Sequence, residues 1–138
     1  MSKFLGRLFS PAASPTDGLS QAQREAIVDL LHFCMCADQD LQPTESSAIA
    51  DKVAGFNWDP AVNFESFAAK SLERAQAAIM TTDSRQAALA SVSERLAGTE
   101  TKTEALELCQ KLFQSDGEFA PAERAVFTEI KRAFGWPV

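Results

Sequence analysis

Six carboxylates, arranged as two copies of one short pattern, are the residues of this sequence best suited to chemistry. In each copy two acidic residues stand two positions apart, and a glutamate follows five positions after the second. Cations such as Ca²⁺ and Mg²⁺ bind several oxygen ligands, commonly carboxylates and carbonyls. We therefore predict a site for a divalent cation (calcium, magnesium or manganese) in each turn, or one site shared by both. Its ligands are Asp116, Glu118 and Glu123 in the second turn and Asp38, Asp40 and Glu45 in the first.

A glycine distinguishes the two turns. Gly117 allows the second turn a left-handed backbone conformation, whereas Gln39 lacks that freedom in the first turn. The second turn is therefore the stronger candidate. The spacing is not that of an EF-hand, which needs a glycine at position six and a bidentate glutamate at position twelve. A purely structural interpretation also stays open, in which the first aspartate accepts hydrogen bonds from turn amides and the glutamate caps the next helix.

Residues outside the turns repeat at the same interval of 78 positions. The matching pairs are Leu30 with Leu108, Phe56 with Phe134 and Trp58 with Trp136. Apolar residues recur three and four positions apart on both sides of each turn, which is the spacing of amphipathic helices. We predict two helix–acidic turn–helix units packed about a pseudo-two-fold axis. The two tryptophans are expected to close the ends of the core.

The whole pattern predicts an all-α bundle of about six to seven helices, since no alternating strand pattern appears. The predicted helices cover about 20–37, 43–56, 61–80, 84–97, 101 or 103 to the second turn, and 121–134. Ser20 is the expected N-cap of the first helix and Gly98 the expected C-terminal cap of the fourth. We expect residues 1–18 to form an N-terminal arm and linker and residues 19–138 to form the helical domain, with residues 60–100 as its helical connector.

The sequence resembles the tellurite-resistance TerB family and the wider TerB-like domain superfamily. The resemblance rests on a run of residues at 112–119, on Pro121 and Glu123, and on the Phe134–Gly135 pair that ends the last predicted helix. It extends from about residue 20 to the end, although Gln39 departs from the usual glycine and residues 60–100 match no motif. The resemblance implies an all-α fold, acidic turns that bind divalent cations and a link to metal or oxyanion stress. It implies no established enzymatic reaction.

Composition limits the classes of function. The formal net charge of −6 and the pI of about 4.8 argue against a general nucleic-acid binder, which needs a basic face. No stretch is long and apolar enough to span a bilayer, so we expect a cytoplasmic protein. Residues 3–9 are basic and apolar at helical spacing. They suit peripheral contact with the inner face of a membrane or with a protein partner, or packing on their own domain.

The remaining reactive residues give weaker signals. Cys34, Cys36 and Cys109 complete no zinc ligand set, so buried structural cysteines are the favoured interpretation over thiolate chemistry. His32, the single histidine, lies beside the apolar stripe, and we expect it at the surface or a helix boundary. The sequence contains no glycine-rich phosphate loop, nucleophile elbow or His–Cys metal set. We therefore predict that the protein is not an enzyme.

Two functions follow from these observations. The first is a non-enzymatic TerB-like protein of the tellurite or metal-stress response whose acidic turns bind a divalent cation. The alternative is a helical adaptor whose acidic turns are only structural and whose surface binds an unidentified protein partner. The sequence names neither that partner nor the oligomeric state.

Overall fold

The computed structural model describes residues 19–37, 58–113 and 121–136, apart from the side chains of residues 111–113 and 122. These ranges contain five helices and no strand. The helices are α1 (Gln21–Ala37), α2 (Phe64–Ala78), α3 (Thr82–Leu96), α4 (Thr99–Phe113) and α5 (Pro121–Ala133). The predicted all-α class is therefore confirmed. The described helices are fewer than the predicted six to seven, and the predicted helix at 43–56 lies outside the described residues, as does the arm 1–18.

Helix α1 is the centre of the described structure. Ser20 caps it as predicted: the Gln23 backbone N–H donates to Ser20 Oγ (3.1 Å), and the Ser20 N–H donates to Gln23 Oε1 (2.8 Å). This reciprocal pair satisfies two backbone donors at the helix start. Helices α2, α3 and α4 all pack on α1. More than half of its residues are buried, from Arg24 to Cys34, so α1 is enclosed on most of its circumference.

Helices α2 and α3 follow one another closely and each begins with a polar cap. Asn63 Oδ1 accepts the Ser66 N–H at 2.8 Å at the start of α2. Thr81 and Ser84 form a reciprocal capping box at the start of α3. The second cap also fixes the short connection between the two helices, because Ser84 Oγ donates to the carbonyl of Ala78, the last residue of α2, at 2.6 Å.

The end of α3 differs from the expectation. Ala97, not Gly98, takes the positive φ of 68°, and the Gly98 N–H donates to the Leu96 carbonyl at 2.8 Å. The predicted glycine cap is therefore wrong by one residue. The tight turn begins α4 at Thr99, earlier than the predicted 101 or 103. A non-glycine residue at this φ is a strained backbone position.

The two tryptophans lie partly buried against the core. Trp58 Nε1 donates to the Val62 carbonyl at 2.9 Å, and the indole packs edge-on against Phe64 with centroids 5.1 Å apart. Trp136 contacts Phe134 at 5.7 Å, just beyond the end of α5. Both positions fit the expected closing role. Helices α1 and α4 also begin 78 residues apart, the interval of the two acidic turns.

Candidate functional site

Of the six predicted cation ligands, only Glu123 lies among the described residues. It occupies the first turn of α5, two positions after Pro121, and is 4% exposed. It takes part in an interaction within the protein, as a buried carboxylate requires. Asp38, Asp40, Glu45, Asp116 and Glu118 lie outside the described residues. Within residues 19–37, 58–113 and 121–136, no three His, Cys, Asp or Glu side chains are grouped as metal ligands.

A second polar site, which was not predicted from the sequence, is centred on Asp29 of α1. Its Oδ1 accepts a hydrogen bond from Ser71 Oγ at 2.5 Å and from Arg74 Nη2 at 2.8 Å, both on α2. Its Oδ2 lies 2.8 Å from Arg95 Nη1 on α3. The Asp29 side chain is only 12% exposed. One carboxylate therefore joins three helices and holds two guanidinium groups beside each other.

Ser71 extends this network to His32. The serine is 1% exposed and the histidine 2%, and His32 Nδ1 lies 2.9 Å from Ser71 Oγ. The single Ser71 hydroxyl proton is donated to Asp29. His32 Nδ1–H must then be the donor to Ser71, which assigns the tautomer. Asp29 and His32 stand one turn apart on α1, opposite Ser71 and Arg74 one turn apart on α2.

Burial dominates the electrostatics of His32. Its pKa is lowered below the ordinary 6.5, first because burial disfavours the charged imidazolium. Asp29 acts in the opposite sense and Arg74 in the same sense, both to a smaller extent. The ring is therefore neutral at pH 7. The expectation of a surface or helix-boundary histidine is wrong, because His32 faces α2 and finds the Ser71 hydroxyl there.

The network is not arranged for nucleophilic catalysis. In a catalytic triad a histidine receives the proton of the serine, whereas here Ser71 donates directly to Asp29 and receives a proton from His32. Asp29 is also paired with two guanidinium groups and makes no hydrogen bond with the histidine ring that a triad aspartate would orient. The arrangement instead fixes the position of two cationic side chains.

Those two arginines border a cavity of about 120 Å³ between α1, α2 and α3. Asp29, Ser71 and Ser91 complete its polar side. The apolar side is lined by Phe33, Ala75, Ala78, Ala88, Leu89 and Val92. Arg74 keeps 53% of its side chain exposed and Arg95 keeps 31%, so both guanidinium groups remain accessible at the opening. The cavity thus combines an apolar wall with a cationic rim.

The cysteines are placed as structural residues. Cys34 and Cys109 are in no disulfide and are fully buried, in agreement with the apolar-face position expected for Cys34. Cys36 is partly exposed, and burial raises its pKa, which lowers the thiolate fraction at neutral pH. None of the three is set up as a reactive thiol or as part of a described metal group.

The sequence contained an indirect signal for the Asp29 site. Asp29 and His32 interrupt an otherwise apolar run on α1, and polar residues within a buried helix need partners. Those partners came from the connector, residues 60–100, which carries no recognisable motif.

Within the described ranges, no helix is long and apolar enough to cross a membrane. Comparison of the chain with protein-family models, with curated proteins and with solved structures gives no match.

Proposed function

We propose that this chain is a non-enzymatic, TerB-like helical protein of the metal-stress or tellurite response, and that its second acidic turn binds a divalent cation. The observation that carries the proposal is the burial of Glu123 in the first turn of α5. Residues 114–120, which include Asp116 and Glu118, connect α4 to this helix in the sequence. The helix dipole stabilises a carboxylate in the first turn by up to about 2 kcal/mol where the group is partly buried, whereas Glu123 is almost fully buried. A carboxylate buried to this extent needs a charged or polar partner, and two further carboxylates, Asp116 and Glu118, are close to it in the sequence.

The interval between the helices supports the same proposal. Helices α1 and α4 begin 78 residues apart, and Leu30 and Leu108 are both buried at that interval. Helix α5 begins at Pro121, the counterpart of Pro43. A repeated helix start before a repeated acidic turn is expected if the turns share one role. Trp58 and Trp136 also have similar placements, each partly buried against the core.

Thermal unfolding after chelation tests the proposal. The full chain is titrated with Ca²⁺, Mg²⁺ and Mn²⁺ and compared with Asp116→Asn combined with Glu118→Gln. A cation that binds only the folded protein at 100 times its Kd stabilises it by about 2.7 kcal/mol. We expect a saturable rise of the midpoint in the wild type with at least one of the three cations, and no rise in the double variant.

A matched control removes the same charge elsewhere. Glu73→Gln combined with Glu94→Gln changes two exposed carboxylates on α2 and α3, and it should keep the full cation response. An equal loss in this control would show that the ions act only on the net charge. If none of the three cations raises the wild-type midpoint, the acidic residues are turn and cap residues, and the adaptor function becomes the better explanation.

A further inference from the structure

The cavity between α1, α2 and α3 has an apolar wall and a cationic rim, and none of its lining residues is a ligand of the proposed cation site. We propose that it binds a small apolar monocarboxylate. The carboxylate pairs with the guanidinium groups of Arg74 and Arg95, and the hydrocarbon part lies against the apolar wall around Phe33, Leu89 and Val92.

The charge at the rim favours an anion. Arg74 and Arg95 both lie within 2.8 Å of the Asp29 carboxylate, so two positive charges stand against one negative charge. His32 adds no charge at neutral pH, since its ring is buried and uncharged. This local excess of positive charge occurs in a chain whose formal net charge is −6. A ligand carboxylate would complete the charge balance, whereas an ammonium group would meet two guanidinium groups.

Both arginines also have guanidinium N–H groups that are not used in the contacts with Asp29 and Ser91. Each guanidinium carries five N–H donors. Arg74 uses one on Asp29, and Arg95 uses one on Asp29 and one on the Ser91 carbonyl. Asp29, itself fixed by the Ser71 hydroxyl, holds the two groups in place before any ligand arrives. Such preorganisation reduces the conformational entropy that binding would otherwise cost.

Size and lining select the rest of the ligand. A volume of about 120 Å³ is slightly below the roughly 150 Å³ of an engineered apolar cavity that binds benzene. It is well below the roughly 300–1,000 Å³ of pockets for drug-sized ligands. An aromatic ring or a branched chain of about six carbons therefore fits. The apolar wall gives no hydrogen-bond partner to a phosphate or sugar in that position.

Nuclear magnetic resonance of the ¹⁵N-labelled full chain, titrated with sodium benzoate at constant ionic strength, tests this assignment. We expect saturable amide shifts centred on residues 71–78 and 88–95, with a Kd roughly in the millimolar range for so small a ligand. Benzamide has the same shape without the charge and should bind at least tenfold more weakly. Inorganic phosphate should give no saturable shifts at these residues.

Variants separate the contribution of the ligand's carboxylate from that of its hydrocarbon part. Arg74→Gln with Arg95→Gln should weaken benzoate binding at least tenfold, and Arg74→Gln alone, at a half-exposed position, should weaken it measurably without affecting the fold. Ala88→Leu fills the cavity, keeps both arginines and should also lose binding. Lys102→Gln with Lys131→Gln removes the same charge from α4 and α5 and should change nothing.

Several results would overturn the proposal. Benzamide binding as tightly as benzoate would show that the arginines do not select the ligand. Unchanged binding in Ala88→Leu would place the ligand outside the cavity. Phosphate binding at the same residues, or no saturable shift up to about 20 mM benzoate, would also refute it.

Discussion

Replacing Ser71 with alanine tests the network on which the three central helices converge. The Ser71 hydroxyl is buried, donates to the Asp29 carboxylate at 2.5 Å and accepts the His32 Nδ1–H at 2.9 Å. Alanine removes both interactions at once and keeps the helix. The effect therefore reports the hydrogen bonds and not the backbone of α2.

The expected cost follows from the two partners. A hydrogen bond to a charged group contributes about 1.5–3 kcal/mol, and a buried donor left without a partner costs about 1–3 kcal/mol. The higher helix propensity of alanine returns about 0.5 kcal/mol. The adjacent cavity also lets water approach Asp29 and His32, which favours the low end of both ranges. We expect Ser71→Ala to lower the free energy of unfolding by about 2 kcal/mol.

Urea unfolding followed by the fluorescence of Trp58 and Trp136 measures this change, and an unchanged m-value would show that the mutation acts on stability alone. Ser91→Ala is the matched control, since it makes the same substitution at an exposed position of α3. It should stay within about 0.5 kcal/mol of the wild type.

A double-mutant cycle with His32→Leu isolates the histidine interaction. Once His32 is replaced by an apolar side chain, Ser71→Ala no longer leaves a buried N–H without a partner. The loss of unfolding free energy caused by Ser71→Ala should then be smaller by about 1–2 kcal/mol. Equal costs in both backgrounds would show that His32 and Ser71 are not coupled. If Ser71→Ala cost no more than Ser91→Ala, the assignment of the network as a stabilising element would be refuted.

Three further predictions concern single features of the fold. Burial lowers the pKa of His32 below 6.5, so the unfolded chain binds more protons than the folded protein near that pH. The free energy of unfolding should therefore fall as the pH drops from 7.5 to 5.5, by at most about 1.4 kcal/mol per pH unit. Urea unfolding at several pH values should show this slope in the wild type and a flatter one in His32→Gln. Ala97→Gly should stabilise the protein by about 0.5–1 kcal/mol in the same assay, because relief of the positive φ exceeds the entropy cost of glycine. The Arg85 guanidinium donates to both carboxylate oxygens of Glu129 at 3.0 and 2.7 Å and joins α3 to α5. Because both side chains are partly exposed, the coupling energy from their double-mutant cycle should be only about 0.5–1 kcal/mol and should decrease at high salt.

The parts of the fold that depend on local chemistry were predictable from the sequence. Ser20 caps α1 as expected, and Gly135 ends α5 with a φ of 84° in a hydrogen-bonding pattern in which the Trp136 N–H donates to the Lys131 carbonyl. These features involve neighbours within six residues. The periodicity of apolar residues likewise places Leu30 and Leu108 in the core.

The features that depend on distant partners were not predictable. His32 looked like a boundary residue because its hydrogen-bond partner, Ser71, is 39 positions away. No role was predicted for Asp29, because its three partners lie on α2 and α3. The strained Ala97 is explained by the tight turn into α4, whereas the sequence alone favours Gly98. A single sequence gives side-chain types and local spacing but not which helices meet.

The connector, residues 60–100, which carries no recognisable motif, is therefore more than a spacer between the two predicted units. Helices α2 and α3 supply Ser71, Arg74 and Arg95, whereas the resemblance to TerB-like proteins rests mainly on the acidic turns and their flanking helices. The two proposals consequently depend on different parts of the chain. If the acidic-turn variants lose the cation response but keep benzoate binding, and the arginine variants do the reverse, the chain has two independent sites. Loss of both responses in either variant set, with the fold retained, would instead mean that the two sites are coupled.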